Sequence, residues 1–362
     1  MSTASCRSGR SPPSPRSANR LPLKVGLGLF TAQVPPGSGR SAAQEYADIL
    51  GLTQDAEFAG FDSVWVSEHH GAADGYLPAL PVLQAAMAAV TSRVELGQGV
   101  VLGPFQHPLR FAEDCAVADN ISGGRLIVGL APGWREEEFR AFGIPMRERV
   151  GRNAELVRIC RLAWTGERFS FEGRYFRYEQ VRVTPPPARP LPILMGGFVE
   201  KAAERAGRLG DGFLGSRAEL GWFRRLLAAF ERGAREAGKD PEAMPIGFLQ
   251  NAWVSRDGEI PDHVIEGAWH QLGTYAAWRV PTDTPEATYQ LAPVKREAVV
   301  EPMAAGNPEQ VVEGMRPWLE AFGRRDLTIV FRLHYPGMTR AQAQPAVELF
   351  ASEVIPQLKR LA

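Results

Sequence analysis

The feature that most limits what this chain can fold into is an alternation of short apolar runs with longer amphipathic stretches, which begins near residue 21. Eight of the apolar runs are predicted as strands, from LKVGLGLF at 23–30 to DLTIVFRLHYPG at 326–337. Runs as apolar as these are typical of strands covered on both faces, and strands that alternate with helices form parallel sheets. Eight units favour closure into a single (β/α)8 TIM barrel, of the α/β class, over an open doubly wound sheet.

Helix-boundary signals support this division of the chain. Ser41 and Gln44 form a capping-box pattern that predicts a helix start, and Gly60 predicts its end. Asn307 and Gln310 repeat the box before a late helix. No glycine-rich dinucleotide motif and no P-loop motif follows a strand, so the sequence does not indicate either type of nucleotide site.

Two segments interrupt the alternation and are predicted as inserts. After the fourth strand and its helix, GERFSFEGRYFRYEQVRV at 166–183 predicts a β-hairpin that turns at Glu172 and Gly173. After the seventh strand, residues 258–305 form a long irregular insert, and a loop of this length in a compact domain is usually functional. Its aromatic residues either wall a hydrophobic pocket or pack the insert onto the barrel; they are Trp269, Tyr275, Trp278 and Tyr289.

The first twenty residues have a different composition from the rest. They are rich in Ser, Pro and Arg, and no acidic residue precedes Glu45. Such a segment has too few apolar groups to offset its ordering entropy, so residues 1–20 are predicted to be a disordered tail before a barrel domain at 21–362. It lacks the arginine pair and apolar stretch of an export signal, which favours a solvated tail or a misassigned start.

Composition excludes several classes of partner. Lys plus Arg and Asp plus Glu both number 41, so no basic surface for nucleic acid is indicated. No apolar run reaches the roughly 20 residues of a membrane helix. The cysteines Cys6, Cys115 and Cys160 form no CxxC pair, which is typical of reduced thiols in a cytoplasmic protein.

In a β/α barrel the functional site lies at the carboxyl ends of the strands. His69 and His70 end the second strand directly after Glu68, and a histidine there is a candidate for proton transfer. Because neighbouring residues of a strand point to opposite faces, the two histidines do not readily share a metal ion, and no metal site is predicted. The third, fourth and fifth strands end in GPFQHP at 103–108, APGW at 131–134 and MGGF at 195–198.

Gly196 and Gly197, directly before a helix, are the best candidate for an anion site. Glycines allow close approach to the backbone, and the first N–H groups of a helix favour a phosphate. Arg149 and Arg152, near the start of another helix, would supply positive charge. A tight strand-to-helix turn is an equally good interpretation of the two glycines.

Several blocks resemble the bacterial luciferase-like flavin-dependent family in order and spacing. They are EHH at 68–70, AEDCAVADNISGGRLIVGLAPGW at 112–134, EEEFRAFGIP at 136–145, the hairpin block, LPILMGG at 191–197, AAERAGRLGDGFL at 202–214 and GNPEQVV at 306–312. The resemblance covers nearly all of 23–355. It implies a (β/α)8 barrel, usually a homodimer, that receives reduced FMN from a separate flavin reductase; a sister branch uses the deazaflavin coenzyme F-420 (F420) instead.

The resemblance also implies roles for single residues. His69 matches the histidine beside the isoalloxazine ring, where it assists proton movement. Gly99 and Val100 fall where the family often has a non-prolyl cis peptide under the ring. Gly196, Gly197 and Phe198 match the phosphate loop.

The sequence departs from true luciferase at the end of the fourth strand. Luciferase has a Cys and a phosphate-binding Arg there, whereas this chain has Ala131 and Pro132. The phosphate site then requires Arg149 or Arg152, and light emission is not expected. The following Gly133 and Trp134 are common in the deazaflavin branch.

Three functions therefore remain open at this point. The first is an FMN-dependent monooxygenase that inserts one atom of O2 into a small organic substrate. The second is an F420-dependent oxidoreductase that moves hydride without oxygen. The third is a catalytically idle flavin-binding barrel.

Overall fold

The computed structural model describes residues 23–216, 219–278 and 299–362. Among these residues, eight strands pair in parallel and close on themselves, so the predicted (β/α)8 barrel is confirmed. The barrel strands are β1 Lys24–Phe30, β2 Ser63–Val66, β3 Glu95–Gln98, β5 Leu126–Ala131, β8 Ile193–Gly196, β9 Gly212–Ser216, β10 Ile246–Val254 and β12 Leu327–Arg332. The short strands outside this set are β4 Val101–Leu102, β6 Phe169–Glu172, β7 Arg177–Val181 and β11 Ala304–Gly306.

The last barrel strand completes the ring by pairing with the first, with Lys24 opposite Thr328. Helices follow the strands and cover the outside of the barrel. They are α1 Ala42–Ala59, α2 Leu80–Ala89, α3 Pro108–Ser122, α4 Glu136–Ala141, α5 Arg149–Ala163, α6 Glu200–Leu209, α7 Leu220–Glu236, α8 Asp262–Ala277, α9 Pro308–Phe322, α10 Arg340–Leu349 and α11 Ile355–Leu361. None of the helices in the described part of the chain has the length and apolar character that crossing a membrane requires.

The predicted helix boundaries are confirmed where capping chemistry defined them. Ser41 and Gln44 form a complete capping box at the start of α1, and Asn307 and Gln310 do the same for α9. Gly60 ends α1 in the left-handed conformation that glycine favours.

The interior of the barrel is built around one large side chain. Trp65 on β2 is fully buried and packs with Leu29, Ile127, Leu194 and other inward-facing residues. A Cβ atom on Gly97 would overlap the indole ring. The glycine that interrupts the third strand therefore makes room for this tryptophan.

The insert after the fourth barrel strand is the predicted hairpin, formed by β6 and β7, but its turn is longer than predicted. Glu172 is paired with Arg177, so the turn spans 173–176 rather than centring on Glu172 and Gly173. The Glu155 carboxylate accepts hydrogen bonds from the N–H groups of Arg174, Tyr175 and Phe176 and holds this turn against α5.

The insert after the seventh barrel strand is less irregular than predicted, because α8 occupies a third of it. Tyr275 lies on α8, and Trp278 follows its last residue. Tyr289 and the predicted tail at 1–20 lie outside the described residues.

Candidate functional site

The two histidines after β2 lie on opposite sides of the chain, as their alternation predicted. Trp65 points into the barrel, so residues 67 and 69 share its side and residues 68 and 70 face outward. His70 packs against Phe105 and Phe142. His69 instead lies among aromatic rings at the mouth of the barrel.

His69 forms a buried pair with Glu138, which α4 places beside it. Its Nδ1 atom lies 2.9 Å from Oε1 of Glu138, and that oxygen also accepts the His70 N–H. Both side chains are almost fully buried. An Nδ1–H donated to this carboxylate leaves Nε2 as the ring's proton acceptor. The other Glu138 oxygen, Oε2, is buried without a hydrogen-bond partner.

Four aromatic residues surround the His69 ring, and we call them the aromatic box. Their ring centroids lie between 4.8 and 5.9 Å from that of His69; they are Tyr76, Trp134, Tyr275 and Trp278. The phenol oxygens of Tyr76 and Tyr275 are 2.9 Å apart, and Tyr76 also donates to Ser67. Burial raises the pKa of both phenols, so they stay neutral at ordinary pH.

Glu68 and His70 form a second pair in the wall of the barrel. Oε1 of Glu68 lies 2.9 Å from Nε2 of His70 and also accepts the Leu102 N–H. Burial raises the pKa of Glu68, while His70 opposes that rise. This pair joins the end of β2 to the short strand β4, which is a structural role.

The Gly99–Val100 peptide bond is cis, as the resemblance implied. Val100 packs with the inner cluster, and its Cγ1 atom lies 3.2 Å from where a Cβ on Gly196 would sit. Together with Ala131, these residues form a floor of small groups at the mouth of the barrel. Gly133 follows with a positive φ of 71°, a turn that leads to Trp134 in the aromatic box.

Gly196 is the last residue of β8, and Gly197 lies in the turn that leads to α6. A Cβ atom on Gly197 would lie 2.6 Å from the Cβ of Ala202, so the tight-turn interpretation of this glycine is correct. The anion-site prediction is compatible with it, because the N-cap residue of α6, Val199, has no side-chain hydrogen bond to the first N–H groups of the helix. Phe198 is 54% exposed beside this turn.

The structure separates the two arginines predicted to supply charge. Arg152 pairs with Glu148 at 2.9 Å and lies over the Tyr175 ring, so it already has partners. Arg149 donates to the Met146 carbonyl and has no carboxylate partner among the described residues.

A third arginine, Arg205 on α6, was missed by the sequence analysis. Its pKa is lowered by burial and by the positive charges of Arg208 and Arg149. Arg208 pairs with Glu204 and Glu236, whereas Arg149 and Arg205 form no ion pair with a carboxylate among the described residues, so these two arginines are candidates to attract an anion. Arg205 follows Gly197 by two helical turns, and the phosphate-loop motif was the signal that pointed to this neighbourhood.

Cys115 and Cys160 do not contribute to the mouth of the barrel. Both are buried in the wall, and burial raises the pKa of each thiol. They are therefore inert structural thiols.

Comparisons with known proteins agree with the barrel fold. A family model described as luciferase-like monooxygenase matches residues 25–325. An F420-dependent glucose-6-phosphate dehydrogenase of Beutenbergia cavernae is 31% identical over 342 residues, which cover 88% of this chain and 96% of the relative. An F420-dependent hydroxymycolic acid dehydrogenase of Mycobacterium tuberculosis is 35% identical over 205 residues, 54% of this chain and 56% of the relative.

Among solved structures, a monooxygenase from Streptomyces bottropensis is similar, with a TM-score of 0.76 and 29% identity. The match covers 92% of this chain and 99% of that protein.

Proposed function

The chain belongs to the luciferase-like monooxygenase family, and we propose that it is an F420-dependent oxidoreductase that takes hydride from a hydroxyl-bearing carbon of a small organic substrate. The observation that carries this proposal is the buried pair of His69 and Glu138, which leaves one imidazole nitrogen free to accept a proton. From the sequence alone, FMN was the first cofactor predicted. The relatives named above are F420-dependent dehydrogenases and support the alternative.

The described residues fit a cofactor that carries a phosphate. The uncapped start of α6 offers N–H groups, and Arg149 and Arg205 have no carboxylate partner among the described residues. The floor beside the cis peptide carries small residues, Ala131 and Gly196, and a flat ring would lie against it. Arg149, Arg205 and the turn at Gly197 would hold the phosphate, and the ring would lie between this turn and His69.

A bound deazaflavin supplies the acceptor for a hydride, which leaves the substrate carbon with its electron pair. The hydroxyl proton must go elsewhere, and Nε2 of His69 is positioned to take it as the carbonyl forms. Glu138 fixes the tautomer and stabilises the imidazolium, as a carboxylate does for a general-base histidine. The aromatic box excludes water from this atom, which strengthens the electrostatic effect of the carboxylate.

The test uses the purified full chain under anaerobic conditions. We expect saturable binding of F420, measured by fluorescence titration. Weaker binding is expected in the Arg149→Met, Arg205→Met double variant, because the charge that attracts the phosphate is removed. Hydroxy compounds should then bleach the visible absorbance of the bound cofactor, and His69→Ala should abolish this change. Failure of F420 to bind would contradict the proposal.

The second candidate is an FMN-dependent monooxygenase, favoured by the similarity to the Streptomyces bottropensis enzyme. It would insert one atom of O2 and release the other as water, with reduced FMN supplied by a separate flavin reductase. Oxygen uptake with reduced FMN and no reaction with F420 would identify this function. Binding of either cofactor without turnover of any substrate would indicate an idle flavin-binding barrel. The homodimer remains a prediction, which size-exclusion chromatography with light scattering tests.

A further inference from the structure

Arg332 is the last residue of β12, and its side chain faces the mouth of the barrel. Val330 packs in the interior cluster, whereas Phe331 packs in the outer core between the strands and the helices. Because alternate residues of a strand share a face, Arg332 points inward, one layer above Val330. It therefore lies at the carboxyl ends of the strands, where β/α barrels bind their ligands.

The Arg332 side chain is buried at the mouth of the barrel. The residue is 6% exposed, and its side chain makes no hydrogen bond or ion pair with any residue in the described part of the chain. The ionisable neighbours that affect its pKa are the phenols of Tyr76, Tyr275 and Tyr335. Burial lowers the pKa of Arg332, but a guanidinium remains protonated at any working pH.

Two other buried arginines each have several hydrogen-bond acceptors or a carboxylate partner. Arg125 is 9% exposed and donates to four backbone carbonyls and to the Thr91 hydroxyl. Arg325 is 8% exposed and pairs with Glu231 and the Pro241 carbonyl. The described residues offer Arg332 no comparable set of acceptors, and a buried charge without acceptors costs free energy that a ligand can offset.

We propose that Arg332 binds an anionic oxygen group of the substrate, a carboxylate or a phosphate. This inference rests on the proposed function, because it assumes that the hydroxyl group of the substrate reacts at His69. The fork of guanidinium N–H groups matches the two oxygens of such an anion. Tyr76 and Tyr275 lie between the two ends, because both phenols interact with Arg332 and both rings pack against His69.

The position of Arg332 favours the substrate over the cofactor phosphate. In the closed sheet, β12 lies three strands from β8, where the glycine turn and Arg205 are found. In a ring of eight strands this is nearly the opposite side of the mouth. The two positive sites therefore bracket the mouth, one for each of the two molecules that react there.

The test measures thermal unfolding of the full chain without cofactor, in chloride, succinate or inorganic phosphate at constant ionic strength. We expect succinate or phosphate to raise the wild-type Tm by about 2 °C or more at ten times its dissociation constant. Arg332→Met should abolish the rise in succinate, whereas phosphate should still bind at the α6 turn. Its Tm in chloride should be equal to or above that of wild type. Arg332→Lys, which keeps the charge but loses the fork, should show a reduced rise.

Arg149→Met is the matched control, because it removes an arginine at the opposite side of the mouth and should keep the response to succinate. A succinate response that Arg332→Met keeps and Arg149→Met loses would place the carboxylate at the α6 turn and overturn the inference. It is also overturned if neither anion stabilises wild type, or if Arg332→Met lowers the Tm in chloride. F420 titration of wild type, run in parallel, reports separately on the proposed function.

Discussion

At the scale of single residues, His69 and His70 show how one strand separates two chemical roles. Both are buried or nearly so, and each pairs with a carboxylate. His69 faces the mouth of the barrel, and its Nδ1 atom is hydrogen-bonded to Glu138. His70 faces the wall, where Glu68 and two phenylalanines enclose it. The chemistry of the histidines is the same, and only the alternation of the strand distinguishes them.

We therefore expect His69→Ala to keep the fold while lowering the turnover rate by about two to four orders of magnitude, the usual range for general acid–base catalysis. His70→Ala should lower the Tm but leave the rate per folded molecule close to that of wild type, because its partners are structural. Single-turnover kinetics and calorimetry on both variants check this. Normal turnover in His69→Ala would show that proton transfer at this strand end is not part of the mechanism.

The fit of Trp65 inside the barrel gives a second prediction at this scale. Gly97→Ala would place a methyl group against the buried indole, so we expect a loss of about 2 kcal/mol or more in the free energy of unfolding. Gly314→Ala is the matched control, because a Cβ there meets no atom within 4 Å in helix α9. The control should be neutral or stabilising by up to about 1 kcal/mol. Equal effects in urea unfolding would disprove the packing argument.

At the scale of elements, α8 is the part of the seventh insert that reaches the site. Hydrogen bonds as well as aromatic contacts attach α8 to the loop after β2. Asp74 accepts hydrogen bonds from His270 on α8, at 2.8 Å, and from Gln33, at 2.7 Å. Burial alone would raise the pKa of Asp74, but these hydrogen bonds outweigh it and lower the pKa below its ordinary value.

Because the pKa of Asp74 is lowered by folding, its contribution to stability is present above about pH 4, the ordinary range of an aspartate, and is lost as the pH falls further. Asp74→Asn should remove this contribution, loosen α8 and slow turnover. Hydrogen exchange across 262–277 measures the loosening, and Asp114→Asn on the exposed face of α3 is the control. Unchanged exchange in the Asp74 variant would show that aromatic contacts alone hold α8.

Sequence reasoning identified the aromatic residues of this insert but not the helix that carries them. The run VIEGAWHQLGTYAAW has two glycines and several aromatic or β-branched residues, so its local preference for helix is weak. Contacts with Tyr76 and Asp74 stabilise the helix, and such contacts are not visible in a local pattern. Strands and capped helices were predicted correctly because their signals are local.

The candidate site was only partly predictable for a similar reason. His69 was predicted because two histidines are adjacent at the end of a strand. Its partner Glu138 is 69 residues away in the chain. Glu138 also belongs to a run of three glutamates, which resembles a solvated helix start. Arg205 and Arg332 resemble ordinary charged residues until their burial is known. Long-range pairing and burial are properties of the folded chain, so the sequence pattern does not contain them.

At the scale of the whole molecule, closure of the ring brings the two ends of the domain together. β1 pairs with β12 inside, and α1 packs against α10 outside. Arg340 at the start of α10 donates two hydrogen bonds to the Asp55 carboxylate of α1, at 2.6 and 2.7 Å. Its backbone N–H also donates to Asp48, which pairs with Arg40. This network supplies polar contacts between α1 and α10, where the two ends of the domain meet.

Arg340→Met should therefore weaken the closure of the barrel. Since the Arg340 side chain is 42% exposed, solvent screens the pair, and we expect a loss of only about 1 kcal/mol in the free energy of unfolding. Arg110→Met, which removes a more exposed pair within the single helix α3, should cost less than about 0.5 kcal/mol. The difference should shrink in high salt, because screening acts on the charges but not on the buried strands. Denaturant unfolding of both variants at two salt concentrations measures it, and equal costs would mean that the β1–β12 pairing alone closes the barrel.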